Sequence, residues 1–339
     1  MLIFVNRWAT KADTNLDADG GSNSNDAMTE IVTITPNPAV DVSTSVERIV
    51  PVYKLRGTSQ QRDPGGGGIN VARVIKRLGG DVTAIYPIGG ATGDLLRRLL
   101  DKEGVPNQTF SITEETREDF FVNETSTGRP FRFILPGPSL TDGEWQQCLT
   151  LLCRIEPFPR FVVASGSLPR GVPDDFYARL TRIAKRLGAK MVLDTSGPAL
   201  AAAVAEGVDL IKPNLREMRE LTGREPNDAS EWEVAAKALV HDGKVATIAL
   251  TMGHLGAVLV TRDQVLRAEP LPITPISAVG AGDSFLGALL WQLASGGNPV
   301  ESFRYAVAAG AAALLNGGTS LCLPDDVKRL AQQVVLKAA

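Results

Sequence analysis

From residue 30 onward, short apolar runs alternate with stretches of helical periodicity. The runs IVTIT at 31–35, VTAIYPI at 82–88, FVVAS at 161–165, MVLD at 191–194, VDLIKP at 208–213, VATIALT at 245–251 and AVLVT at 257–261 are strand-like. Several are apolar throughout, as strands buried on both faces are. Within 68–79, Val71, Ile75 and Leu78 recur at i, i+4 and i+7, one apolar face of a helix. This alternation predicts an α/β fold, a mostly parallel central sheet with helices on both faces.

Two segments break the rhythm. Residues 41–62 and 117–135 alternate apolar with polar or charged positions, the pattern of antiparallel strands with one solvated face. Ser126-Thr127-Gly128 supplies a hairpin turn inside the second segment. Together they predict a small antiparallel β sheet off the main body, a lid or a dimer surface; an edge extension of the main sheet is the alternative. Residues 11–27 are mostly Asp, Asn, Ser and Gly, with almost nothing to bury. Residues 1–28 therefore read as a disordered, dispensable extension ahead of one domain at 29–339.

Charge and cysteine content narrow the chemistry. Lys+Arg at 35 against Asp+Glu at 38 leaves a net charge of −3 in 339 residues, so no basic excess points to nucleic acid. An anionic ligand must be held by local cations and backbone N–H groups. Three cysteines make no disulfide framework, and two histidines make a His-rich metal site or a Ser-His-Asp hydrolase a poor fit. No apolar run approaches the ~20 residues of a membrane span, so a reduced, cytoplasmic enzyme or binding protein is expected.

Two glycine clusters carry the candidate chemistry. Gly65-Gly66-Gly67-Gly68 opens a helix beginning Ile69-Asn70, where bare backbone and free N–H groups suit a ligand; a plain helix-start turn is the alternative. Ser277-Ala278-Val279-Gly280-Ala281-Gly282-Asp283 leads into the apolar run at 285–293. Asp283 reads either as a general base beside an anion hole or as a carboxylate stabilising a helix N-terminus. Neither G-x-x-x-x-G-K-[ST] nor a strand-following G-x-G-x-x-G is present, which disfavours P-loop enzymes and Rossmann oxidoreductases.

The stretch 66–72 (GGGINVA) with Gly79 and Gly89 resembles the N-terminal signature of the ribokinase-like (PfkB) carbohydrate kinases. Gly280-Ala281-Gly282-Asp283 resembles their C-terminal signature, and Lys212-Pro213-Asn214-Leu215-Arg216-Glu217 their N-x-x-E motif. The resemblance covers roughly 29–335. Within the family, the stretches at 64–73, 89–93, 135–140 and 164–169 look most like the minor-type 6-phosphofructokinases. One departure is Ala278, where Thr, Ser, Pro or Val is usual.

The resemblance implies a ribokinase-like fold and ATP-dependent phosphorylation of the 1-hydroxyl of fructose 6-phosphate. The alternatives are a 1-phosphofructokinase, a tagatose-6-phosphate kinase, or a catalytically silent sugar-phosphate binder. It implies that Asp283 is the base and that the N–H groups of Gly280, Ala281 and Gly282 hold the developing charge. Asp41, Gly67, Gly68 and Asn70 would meet the sugar, and Arg56, Arg117 and Ser167 its phosphate, with Lys54 nearby. Lys212, Asn214, Thr251, Gly253, Gly256, Ser277, Val279 and Asn316 would line the nucleotide. Asn214 and Glu217 would organise Mg²⁺ through water, although the same pair also reads as a helix capping box. K⁺ beside the anion loop and a homodimer through the lid complete the expectation, with neither nucleic acid nor membrane as a partner.

Overall fold

The computed structural model describes residues 30–226, 228–277, 279–317 and 319–338. The extension at 1–28 and the departure at Ala278 lie outside the described residues. In chain order the elements begin β1 (Ile31–Ile34), β2 (Ala39–Val46), β3 (Gln61–Gly65), α1 (Gly67–Arg77), β4 (Val82–Ile88) and α2 (Gly90–Lys102). There follow β5 (Asn107–Ser111), β6 (Arg117–Glu124), β7 (Arg129–Phe133), α3 (Asp142–Cys153), β8 (Phe161–Ser165), α4 (Phe176–Arg186), β9 (Lys190–Asp194) and α5 (Gly197–Ala205). The rest are β10 (Val208–Ile211), α6 (Leu215–Thr222), α7 (Ala229–His241), β11 (Val245–Thr251), β12 (Ala257–Thr261), β13 (Val265–Ala268), α8 (Ala281–Ala294), α9 (Pro299–Leu314), α10 (Pro324–Ala331) and β14 (Leu336–Ala338).

Ten strands form one sheet in the order β14-β13-β12-β11-β10-β9-β8-β1-β4-β5, parallel from β11 to β5 and antiparallel at the β12–β14 edge. The period-2 geometry of a strand sorts its apolar side chains onto two faces. Val82, Ala84, Phe161, Val163 and Val192 join one buried cluster with α1, α8 and α9. Ile85, Val162, Ala164, Met191 and Leu193 join the other, with α3, α4 and α7. From β1 the chain winds to β4 and β5 on one side and later to β8, β9 and β10 on the other. The carboxyl ends of β1 and β8 are thus a topological switch point, where open α/β sheets place ligands.

The second sheet, ordered β3-β2-β6-β7, corrects the expected antiparallel lid in part. Its outer pairs are antiparallel, but β2 and β6 at its centre are parallel. The connectivity explains this. β2 continues from β1 and β6 from β5, two parallel strands of the main sheet, so both leave the same edge in the same direction. The expected alternation across 41–62 is also interrupted, since 47–60 is loop and β3 pairs with β2 across it. No helix among the described residues is long and apolar enough to cross a membrane.

Candidate active site

Asn70, Asp283, Lys212, Asn214 and Glu217, all singled out from sequence, gather at the carboxyl ends of the parallel strands. Part of the glycine run is needed by the protein itself. A Cβ on Gly68 would lie 2.8 Å from the Ile34 carbonyl oxygen, and one on Gly67 would overlap Ser165 Oγ. The N-terminus of α1 therefore rests directly on the ends of β1 and β8, which any ligand approaching its N–H groups would also meet.

α1 and α8 meet at this point. Asn70 Nδ2 donates to Asp283 Oδ2 at 2.8 Å. Gly280 caps α8 with φ 74°, a left-handed turn that costs glycine little. The first-turn N–H groups of Ala281 and Gly282 have no intrahelical acceptor and face outward with the positive end of the helix dipole. Burial, then the charge of Asp194, pushes the Asp283 carboxyl up to about 6, against Asn70 and Lys212, which pull it down. A carboxylate poised there is a competent base near neutral pH.

Behind the loop lies a compact charge cluster. Lys212, buried, pairs with Asp194 at 3.1 Å, and its Nζ would sit 3.2 Å from a Cβ on Gly282. Burial draws the Lys212 ammonium down, but Asp194, Glu217 and Asp283 more than offset this, so its pKa is raised. Asn214 and Glu217 form a complete capping box on α6: the Glu217 N–H donates to Asn214 Oδ1 at 3.0 Å, and the Asn214 N–H to Glu217 Oε2 at 2.9 Å. Burial and then Asp194 raise the Glu217 carboxyl against its hydrogen bond from Asn214. Asp194 was not anticipated from sequence; its one signal is a polar residue ending an apolar strand.

Among the described residues, no three acidic, His or Cys side chains are placed to grip a metal directly. Three carboxylates (Asp194, Glu217, Asp283) nevertheless face one ammonium, a negative excess that suits a hydrated Mg²⁺ held through water.

A second cluster is built on the lid. Asp41 is buried beside β3 and β6, its carboxyl raised to about 7 by burial and then by Asp119. Arg117 pairs with Asp119 at 3.2 Å and donates to the carbonyls of Asn37 and Leu135, each at 3.2 Å. Asn37 Nδ2 in turn donates to Ser167 Oγ at 3.3 Å, so Arg117 and Ser167 are brought to one corner. Arg132, missed in the sequence, stacks over Phe121 at 5.0 Å and lowers both Asp119 and Asp283 electrostatically. It escaped notice because β7 reads as an ordinary polar edge strand. Lys54 and Arg56 stand exposed on the 47–60 loop between β2 and β3.

Thr251 pairs with Asn214 in an isolated parallel bridge, joining the end of β11 to the α6 cap. Gly253 opens a 3-10 turn, and a Cβ on Gly256 would overlap the Ala268 carbonyl. Asn316 donates to the carbonyls of Ala312 (3.1 Å) and Leu321 (3.3 Å), so its amide closes its own loop. A cavity of about 310 Å³ separates Ser277, Val279 and Ile276 from Ser43, Phe121 and Asn123 of the lid. A larger cleft of about 740 Å³, lined by Lys185, Asp209, His241 and Arg262, opens at the amino ends of β10 and β11, away from these groups.

The pfkB family carbohydrate kinase model matches residues 29–326. The chain belongs to the pfkB carbohydrate kinase family. It is similar to the ATP-dependent 6-phosphofructokinase isozyme 2 of Mycobacterium tuberculosis, 45% identical over 299 residues and 88% of each chain. The isozyme 2 of Escherichia coli is 40% identical over 304 residues, 89% of this chain and 98% of its own. The crystal structure of phosphofructokinase-2 from Escherichia coli in complex with potassium superposes with a TM-score of 0.86 at 40% identity, covering 90% of this chain and 99% of that one. As a pfkB kinase, the chain uses the ribokinase-like architecture to transfer phosphate from ATP to a sugar hydroxyl.

Proposed function

We propose that this kinase phosphorylates the 1-hydroxyl of fructose 6-phosphate from MgATP, giving fructose 1,6-bisphosphate and ADP. The observation that carries the reading is the pairing of a base with a cationic corner: Asp283 on the α8 anion loop, and Arg117 with Ser167 and Arg132 across the sugar pocket. Asp283 Oδ1 accepts the hydroxyl proton as the sugar oxygen bonds to the γ-phosphorus. The bond from that phosphorus to the bridging oxygen breaks, and its electron pair leaves with ADP. The N–H groups of the α8 first turn and the Lys212 ammonium hold the charge on the transferring group. Glu217 and Asn214 would hold the water shell of a Mg²⁺, which would supply neutralisation of the phosphate charge.

Asp41 accepts hydrogen bonds from the sugar hydroxyls, while the arginine corner selects a phosphorylated ketose over the free sugar. Thr251, Gly253, Gly256, Ser277 and Val279 border the nucleotide, with Asn316 supporting the adjacent loop. The Ile276 N–H donates to the Leu314 carbonyl at 2.7 Å, tying the approach to the α8 anion loop to the end of α9, and backbone carbonyls beside that loop would suit a monovalent cation such as K⁺. Exposed Phe120, Phe131 and Phe133 on the outer lid face, with Val52, Tyr53 and Leu55 on the adjoining loop, favour a homodimer through the lid. A cytoplasmic setting, where ATP is made and thiols stay reduced, fits the three free cysteines.

Asp283→Asn tests the reading. It keeps size and capping while removing the base, so kcat should fall by about 10²–10⁴-fold with MgATP binding retained. A folded variant keeping more than roughly a tenth of normal kcat excludes Asp283 as the base. A catalytically silent binder would show no ATP-dependent ADP release with any ketose phosphate.

A further inference from the structure

Arg73, on α1, is almost fully buried, at 1% exposure, although it carries a charge. Its guanidinium is spent on three partners. Nε donates to Glu103 Oε1 at 2.9 Å, with Nη2 2.6 Å from the same oxygen. Nη1 donates to the Pro64 carbonyl at 2.8 Å and to Asn70 Oδ1 at 3.2 Å. Asn70 then presents Nδ2 to Asp283 Oδ2 at 2.8 Å. A line of hydrogen bonds thus runs from Glu103 at the end of α2, through Arg73 and Asn70, to the carboxylate at the head of α8.

A primary amide is nearly symmetric in shape, so packing alone does not choose which end faces a carboxylate. Turned over, Asn70 would set its carbonyl against Asp283 and remove the side-chain hydrogen bond it gives that carboxylate. Burying an ion pair is a poor route to stability, because apolar side chains of like volume fill such space as well or better. The planar fork of Arg73, which a lysine ammonium cannot reproduce, therefore needs another reason to be there.

We propose that Arg73 is a positioning residue for phosphoryl transfer, fixing the amide of Asn70 so that its nitrogen holds the Asp283 carboxylate in place. The proposal rests on Asp283 being the base. Through Pro64, the same guanidinium also ties this line to the end of β3, the lid strand that leads into the glycine run.

The test is a double-mutant cycle read in kcat, in the KM values for MgATP and fructose 6-phosphate, and in Tm. Arg73→Lys should lower kcat roughly 10–100-fold, the scale of an ångström-level misplacement, with the KM for MgATP unchanged. Asn70→Ala should lower kcat at least as far, and adding Arg73→Lys to it should cost no further kcat. Losses that multiply, or an Arg73→Lys enzyme with normal kcat, overturn the proposal. A merely structural role would lower Tm and kcat alike in both backgrounds.

Should Arg73→Lys not fold, Glu103→Gln serves in its place. It loosens the outer anchor while keeping Arg73, and its loss of kcat should likewise vanish in the Asn70→Ala background; persistence there overturns the proposal. Asp283→Asn measured in the same series separates the two readings. High residual kcat in that variant defeats the base assignment, whereas a multiplicative cycle beside an inactive Asp283→Asn defeats the Arg73 assignment alone.

Discussion

Asp41 and Asp119 stand directly opposite each other in the parallel β2–β6 pair of the lid, both buried. Asp63 on β3 faces Asp41 from the other side, so three carboxylates run in a row across the sheet. Burial and this neighbour charge raise the Asp41 carboxyl from an ordinary 3.8 to about 7. A group with a raised folded pKa favours the folded state at low pH and loses that contribution as pH climbs through the folded value. Stability from Asp41 is therefore full below about pH 4 and lost by about pH 7. Asp41→Asn removes the titration while keeping the shape. Its Tm relative to the parent should improve steadily over that interval in pH-dependent melting curves. Parallel curves would show that Asp41 ionises without penalty.

As the proposed base, Asp283 must be deprotonated to accept a proton, so kcat/KM for fructose 6-phosphate should decline on the acid side of about pH 6. An acid limb near the ordinary aspartate value would place another group in control. Profiles of kcat/KM taken below saturation in fructose 6-phosphate, with MgATP saturating, report on the enzyme before the sugar binds.

Lys212→Met removes the ammonium that faces Asp194, Glu217 and Asp283. Breaking a buried pair by deleting one partner typically costs about 3–5 kcal/mol, so thermal or denaturant unfolding should show a large loss. The surviving enzyme should have a lower kcat and an acid limb moved to higher pH, because Lys212 holds the Asp283 carboxyl down. Wild-type stability in this variant would mean that the pair contributes little.

Arg117→Ala should weaken fructose 6-phosphate far more than MgATP, since a charge-assisted contact is worth about 1.5–3 kcal/mol. Arg132→Ala should act in the same direction. Equal rises in both KM values would take these arginines out of the phosphate corner. A free-fructose kcat/KM matching that of the phosphate ester would remove the sugar phosphate as substrate.

Phe131 and Phe133 sit on the exposed edge strand β7, where an apolar surface invites pairing. Phe133→Asp should convert a lid-paired dimer to a monomer by light scattering, with the main fold intact. A dimer that survives the change is held through another surface.

Much of the main sheet is readable without coordinates, because its strands are apolar on both faces and the helices between them carry one apolar stripe. The runs at 82–88, 161–165, 245–251 and 257–261 match β4, β8, β11 and β12 residue for residue. The lid was harder. Its strands were visible as alternating text, but pairing direction is a matter of which edge the chain leaves from, and residue spacing carries no record of that.

The site divides in the same way. Glycine runs and a carboxylate at a helix start are local patterns, since turn geometry and the helix dipole act over a few residues; Asp283, Asn70 and the Asn214–Glu217 cap could therefore be named from sequence alone. What the carboxylates and cations do to one another depends on distance through space. Asn70 and Asp283 are 213 positions apart and touch, and Lys212 reaches Asp194 only because β9 and β10 are neighbours in the sheet. Arg73 and Arg132 look like solvated charges in the text of α1 and β7. Only tertiary packing buries the first and turns the second toward the site, because burial and charge pairing are fixed by what lies across the fold, not by what lies next in the chain.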